Sequence, residues 1–166
     1  MKIASRNINW IRAVIQKWFF DWSKENDFDI ICLQEVKAFE TQIPTEVRFN
    51  LSDYEVIRHH WTRPGYAGTA IFFKKNISIN EKKTDFPFHE FSDEWRVTEL
   101  CFNYWDEKIN LINVYFPNGW DRADWTEMLS YKLDFYEKMR NYIQEIRQKG
   151  NLIICCWDFN IYHTEI

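Results

Sequence analysis

The chain has 166 residues, 46% of them apolar and 28% charged, with a formal net charge of −4. That length buries a substantial core, which counts against a disordered or disulfide-stapled chain and suits one domain or part of a larger one. The acidic balance supplies no overall basic field for nucleic acid, and no uninterrupted apolar run reaches the ~20 residues of a membrane span.

The opening MKIASRNINW has no signal-peptide-like apolar stretch, so a cytoplasmic location is expected. Residues 2–8 read as a short strand. Residues 11–25 follow as a helix, with Ile11, Val14, Trp18 and Trp22 at helical spacing. FDIICLQ, 28–34, is an apolar run suited to a strand buried on both faces. Pro44 is placed to open a short helix. YEVIRHH, 54–60, and GYAGTAIFFKK, 65–75, are further strands, and residues 96–103 with 108–116 suit a hairpin pair. A long helix is predicted over 123–148, with Leu129, Leu133, Tyr136, Met139, Ile143 and Ile146 as its apolar stripe and Lys149-Gly150 as its stop. NLIICC, 151–156, is the last strand. The order of elements predicts an α/β fold with mixed sheets. Of the four cysteines, Cys32, Cys155 and Cys156 lie in strand-like runs, and none forms a C-x-x-C pair with Cys101 or another. Reduced core thiols are expected, with neither zinc site nor disulfide framework.

Three apolar runs end alike. The first runs into Asn7 and Asn9, the second into Glu35, and the last into Asp158 and Asn160. Ligand sites in open α/β sheets form beyond the carboxyl ends of strands, and residues i and i+2 on extended backbone face the same way. If these strand ends are neighbours, Asn7, Glu35, Asp158 and Asn160 converge into a set of oxygen donors suited to a hard cation such as Mg²⁺. Each residue taken singly also fits a plainer role. Asp158, Asn160, Asn7 and Asn9 suit turns, Glu35 a solvated strand end, and Tyr115 the core. His163 fits a surface role, and His59 and His60, being adjacent, face opposite sides of a strand and share no metal.

At these residues the sequence resembles the exodeoxyribonuclease III and AP endonuclease family, within the endonuclease/exonuclease/phosphatase superfamily. MKIASRNINWIRA, DIICLQEVKA, RPGYAGTAIF, INLINVYFPNG with the SYKLDFY helix, and CWDFNIYHTEI follow the family's motifs in order. The resemblance implies a four-layer α/β sandwich of two mixed β-sheets flanked by helices, formed as one domain over residues 1–166 with its C-terminal part missing. It implies Mg²⁺-dependent (Mn²⁺ being the other candidate) hydrolysis of phosphodiesters in double-stranded DNA, at abasic sites or 3′ ends, by a monomer. Carried over residue by residue, Glu35 matches the principal metal carboxylate, Asn7 its metal and phosphate support, and Tyr115 a phosphate-contacting hydroxyl. Asp158 matches the aspartate that orients or deprotonates the attacking water and Asn160 its partner on the metal and phosphate. Lys132 matches a basic phosphate contact, and Arg63 and Tyr66 a loop that approaches the DNA backbone.

Two departures stand out. The chain stops at HTEI, whereas the resemblance implies roughly another hundred residues with an S-D-H motif that completes the site. The 166 residues alone are therefore expected not to cleave DNA, and Mg²⁺-dependent nicking of an abasic duplex by them would overturn that expectation. Moreover, tryptophan occurs 9 times and glycine only 4, where average usage gives roughly 12 glycines. Trp10, Trp18, Trp61, Trp95, Trp120, Trp125 and Trp157 stand where the family carries glycine. Reading UGA as tryptophan in a lineage that decodes it as glycine accounts for all seven, and UGG codons there would refute it. No base-stacking role is assigned to these indoles, and a genuine Trp157 is expected to disturb the site beside Asp158. Arg6, where the family often carries an aromatic, is not accounted for. Two other functional readings remain. A phosphodiesterase or phosphatase acting on lipid or nucleotide phosphates would share the metal residues but not the GYAG segment. A non-catalytic remnant would fail a Mg²⁺ titration and an abasic-DNA binding assay.

Overall fold

The computed structural model describes residues 1–38, 50–58, 67–84, 91, 96–118 and 125–161. Strand β1 (Ile3–Asn7) leads into helices α1 (Ile11–Ile15) and α2 (Phe19–Asn26), then strands β2 (Ile30–Gln34), β3 (Tyr54–Arg58), β4 (Thr69–Lys74), β5 (Ile79–Lys83), β6 (Val97–Tyr104) and β7 (Glu107–Tyr115). Helix α3 (Trp125–Gln148) and strand β8 (Leu152–Asp158) complete the described elements. The segment at Pro44, His59, His60 and His163 lie outside the described residues.

Two four-stranded sheets form, in the orders β1-β2-β4-β3 and β5-β6-β7-β8. In each sheet one edge pair is parallel (β1 with β2, β7 with β8) and the remaining pairs are antiparallel. β2 explains why its sequence is apolar without alternation. Ile31 and Leu33 pack outward with α1 and α2 against Ile11 and Phe19, while Ile30 and Cys32 pack inward against Leu100, Phe102 and Leu111 of the second sheet. The outer face of that sheet, through Val97, Ile112 and Val114, meets Phe135, Met139 and Ile146 of α3. The result is four layers, helix, sheet, sheet and helix, as the family resemblance implies. No helix among the described residues is long and apolar enough to cross a membrane.

Three local expectations change. The helix over 11–25 is two helices, because Trp18 adopts φ −144°, and this break swings Phe19 fully into the core. The stripe of α3 is also shifted at its start. Met139 and Ile146 are buried and Tyr136 and Ile143 pack on the same core, as predicted, but Leu129 and Leu133 are exposed and Met128 and Phe135 are buried in their place, so the predicted face fails in the first turns. The last strand runs two residues further, to Asp158. The hairpin forms as predicted, with Tyr104 paired to Glu107 across a turn in which Trp105 takes φ +55°. All four cysteines are free thiols.

Between the sheets, under the ends of β2 and β7, lies a small polar plug. Gln34 donates from Nε2 to Asn113 Oδ1 (2.6 Å), and Asn113 Nδ2 donates to the backbone carbonyls of Leu33 and Ala70, each at 3.0 Å. Buried amides survive only when their donors and acceptors are paired. This plug therefore ties β2, β4 and β7 together where the chemistry-bearing residues emerge.

Candidate active site

Strand pairing sets the positions. Asn7 is paired with Gln34, next to Glu35, and Tyr115 is paired with Asp158. β1 and β8 are edge strands of their sheets, so one end of the sandwich brings together the carboxyl ends of β1, β2, β7 and β8. The loops that follow are laced by backbone hydrogen bonds. Trp10 N–H donates to the Glu35 carbonyl (2.8 Å), Val36 N–H to Gly68 (3.1 Å) and Lys37 N–H to Ala67 (3.2 Å). Asn9, Trp10, Glu35, Lys37, Ala67 and Asn160 all adopt positive φ here, between +40° and +96°. Such conformations cost of order 1 kcal/mol or more each outside glycine and concentrate at functional sites.

Asn7 is the centre of the constellation. Its Nδ2 donates to Glu35 Oε1 (2.8 Å) and to Asp158 Oδ2 (2.6 Å), joining a carboxylate of the first sheet to one of the second. Its Oδ1 accepts the Asn9 N–H (2.9 Å). Asp158 Oδ1 accepts the Asn160 N–H (2.9 Å), so Asp158 is both a turn residue and a member of the cluster. The Tyr115 hydroxyl is in hydrogen-bond reach of Asn160 and Glu35. Asn160 also donates from Nδ2 to the Phe116 carbonyl (2.6 Å). α3 latches the same turn, with Lys132 Nζ on the Asn160 carbonyl and Tyr136 Oη on the Phe159 carbonyl, each at 2.7 Å. Asn7, Glu35, Tyr115, Lys132, Asp158 and Asn160 are thus brought together, and Arg63 and Tyr66 lie outside the described residues.

The electrostatics follow from these contacts. Burial would raise the Glu35 carboxyl, but donors from Asn7, Lys37 and Tyr115 and the Lys37 charge hold it below its ordinary value. Burial pushes the Tyr115 hydroxyl well above its ordinary range, so it is a donor at neutral pH. Burial lowers the Lys132 ammonium, with the Asp158 charge opposing, and raises Tyr136 to about 12. A cleft of about 300 Å³ opens beside the cluster, lined in part by Ser5, Asn7, Gln34, Asp158 and Asn160.

Two carboxylates sharing one amide nitrogen have unused lone pairs, which suits a hard cation that takes one or two carboxylates and completes its shell with water or phosphate. Among the described residues no group of three or more His, Cys, Asp or Glu side chains gathers, and what they offer here is an open site of oxygen donors.

Sequence reasoning missed Lys37, whose ammonium contacts Glu35 and donates to Asn9 Oδ1 (2.8 Å). It also missed Asn113 and the buried Arg96, which donates to the Tyr115 carbonyl (3.3 Å) and lies 5.1 Å from its ring centre. A polar residue two places before Tyr115 in an apolar strand was the available signal for Asn113. The Trp157 indole packs on Phe116 and Phe159, with ring centres 5.8 and 4.6 Å away, while Asp158 keeps its bond to Asn7. Of the suspected glycine positions among the described residues, Trp10 alone has a positive φ.

The family model described as Endonuclease/Exonuclease/phosphatase family matches residues 7–166. An exodeoxyribonuclease of Bacillus subtilis (strain 168) is 35% identical over 167 residues, covering all of this chain and 61% of that protein. The DNA repair nuclease APEX1 of Danio rerio is 30% identical, covering all of this chain and 51% of that protein. Among solved structures, the Xenopus laevis APE2 catalytic domain superposes with a TM-score of 0.78 at 27% identity, over 99% of this chain and 60% of that one. An AP endonuclease from Archaeoglobus fulgidus gives 0.73 at 26% identity, over 96% and 56%. The chain therefore spans about half to three fifths of these proteins.

Proposed function

The chain belongs to the endonuclease/exonuclease/phosphatase family, and from that premise we propose that it forms the larger part of a metal-dependent DNA repair nuclease, which hydrolyses phosphodiesters at abasic sites or 3′ ends. The observation that carries this reading is the Asn7 amide joining Glu35 and Asp158 across the two sheets, on relatives whose names are those of DNA nucleases.

Glu35 is the principal metal ligand, supported by Asn7, Asp158 and Asn160. Bound there, Mg²⁺ or Mn²⁺ supplies charge neutralisation at the phosphoryl and leaving oxygens. Tyr115, kept protonated by burial, donates to a phosphate oxygen as preorganised electrostatic support. Asp158, aimed by Asn7 and the Asn160 N–H, accepts a proton from the attacking water. Lys132 holds the Asn160 turn and adds positive charge toward the phosphate, and Arg63 and Tyr66 contact the DNA backbone.

The test is binding of an abasic duplex with and without Mg²⁺, against an undamaged duplex and a lipid phosphate. Metal-dependent preference for the abasic duplex, lost in Glu35→Gln and Asp158→Asn, is expected. Preference for the lipid phosphate, or none at all, would refute the reading.

A further inference from the structure

Lys37 has no part in the proposed chemistry, yet its placement is costly. Glu35 and Lys37 both adopt left-handed backbone, at φ +54° and +49°, with the buried Val36 between them. Their alternation sends two side chains of opposite charge to the same end of the sandwich while Val36 anchors the loop in the core. A lysine is ordinarily content in water, and an exposed ion pair contributes little, so the pair alone does not account for two strained residues. What Lys37 reaches is more specific. Its ammonium contacts Glu35 Oε2 and donates to the Asn9 side-chain oxygen at 2.8 Å. Asn9, itself at φ +40°, is tied by its N–H to the Asn7 side-chain oxygen Oδ1. A cation on a flexible stem is thus seated among oxygens of the residues that surround the open carboxylate pair.

We propose that Lys37 is a resident counter-ion of the metal site: its ammonium occupies the oxygens of Glu35 and Asn9 while no divalent cation is present, and the incoming cation must displace it. This rests on the metal-site reading above and deepens it. The consequence is that Lys37 sets the affinity of the site, keeping it weaker than its carboxylates alone would make it. The ammonium has a route out, because the Lys37 side chain is 27% exposed.

The experiment is calorimetric titration of Mn²⁺ into the wild-type chain, Lys37→Met, Lys37→Arg and Glu35→Gln. Lys37→Met is expected to bind Mn²⁺ about tenfold more tightly than wild type, a difference on the order of 1.4 kcal/mol, and Lys37→Arg to bind like wild type. An amine-acylating reagent should modify Lys37 faster in the presence of Mg²⁺ than in its absence. Weaker or unchanged Mn²⁺ binding in Lys37→Met, or acylation indifferent to Mg²⁺, would overturn the proposal. The wild-type titration separates the two levels: absence of Mn²⁺ binding, or binding that persists in Glu35→Gln, defeats the metal-site reading itself, whereas normal wild-type binding without the Lys37 effect defeats this inference alone.

Discussion

Two carboxylate clusters of this molecule use similar residues to opposite ends. In the cleft, the Asn7 amide nitrogen serves both Glu35 and Asp158. Between the second sheet and α3, by contrast, Glu99 is 2% exposed and surrounded by donors. Its Oε1 accepts from Asn110 Nδ2 (2.5 Å), Lys83 Nζ (3.2 Å) and the Cys101 thiol (3.2 Å), and its Oε2 accepts from the Tyr142 hydroxyl. The Glu99 network is closed, with donors in excess over one charge. In the cleft two carboxylates share the Asn7 amide, Lys37, the Tyr115 hydroxyl and the Asn160 N–H, fewer donors per charge, so lone pairs are left over. Residue type therefore does not distinguish a structural carboxylate from a reactive one here, but the ratio of donors to charges does.

The largest effect should come from breaking the closed network. Glu99→Ala leaves Lys83, Tyr142 and Asn110 without their shared acceptor, and removal of one partner from a buried charged network costs about 3–5 kcal/mol. Denaturant unfolding should show that loss, while the fraction still folded binds Mn²⁺ as wild type does. A stable Glu99→Ala that had lost metal binding would reverse the assignment of the two clusters. The converse experiment uses Glu35→Gln or Asp158→Asn. Metal affinity should fall by at least ~100-fold, since even groups that only support metal ligands are worth 10–100-fold, with stability changed by less than about 1 kcal/mol because the site is partly solvated.

Titration separates the clusters further. Glu35 has a folded-state pKa below its ordinary value of 4.5, so its contribution to stability is present above that pH and is lost as pH falls through the lowered value. Burial would lower the Lys83 ammonium, but the charge and hydrogen bond of Glu99, with Cys101 and Glu81, together hold it above its ordinary 10.5, so its contribution is complete below 10.5 and is lost only as pH rises through the raised value. Unfolding curves of wild type against Glu35→Gln should converge in acid, and those against Lys83→Met in strong alkali. Convergence at the same end would mean that the two sites are electrostatically alike.

The sequence carries the cleft better than the network for a physical reason. Asn7, Glu35 and Asp158 are strand-end polar residues after apolar runs, and period-two geometry plus the rule for strand ends locates them without coordinates. Glu99 sits mid-strand in VTELCFNY, where alternation reads it as a solvent-facing residue. In the structure α3 packs over it, with the Tyr142 hydroxyl on its Oε2. Lys37 is missed for a different reason, since its role depends on left-handed backbone in a residue whose type does not announce it. The start of the α3 stripe is a third case. Leu129 and Leu133 satisfy the helical period, but Phe135 and Met128 satisfy it as well with larger or more flexible side chains, and the core took those.

A smaller effect should come from the latch on the 159–160 turn. Lys132→Met and Tyr136→Phe each delete one hydrogen bond to a backbone carbonyl, worth about 1 kcal/mol. Their metal affinities should drop severalfold, because Asp158 is aimed by the same turn. No change in affinity would show that the turn holds its shape without α3.

The smallest effect concerns Trp10, and it has the opposite sign. Trp10 begins α1 at φ +96° and ψ +102° without a side-chain cap, and its indole is 47% exposed. A bulky residue in that region is an outlier, and here little burial offsets the strain. Trp18 makes the contrast, since its φ of −144° is open to any residue and its ring packs edge-on against Trp22 and Phe19 at 5.7 and 6.2 Å. Trp10→Gly should therefore stabilise the chain by about 1 kcal/mol, and Trp18→Gly should destabilise it by more, both read by denaturant unfolding. The pair bears directly on the excess of tryptophan over glycine. If glycine is preferred at both positions, a common cause acting on codons gains weight, because backbone conformation asks for it only at Trp10. If it is preferred at Trp10 alone, Trp18 belongs to the core as it stands, and local strain at the rim of the cleft is sufficient to explain the exception.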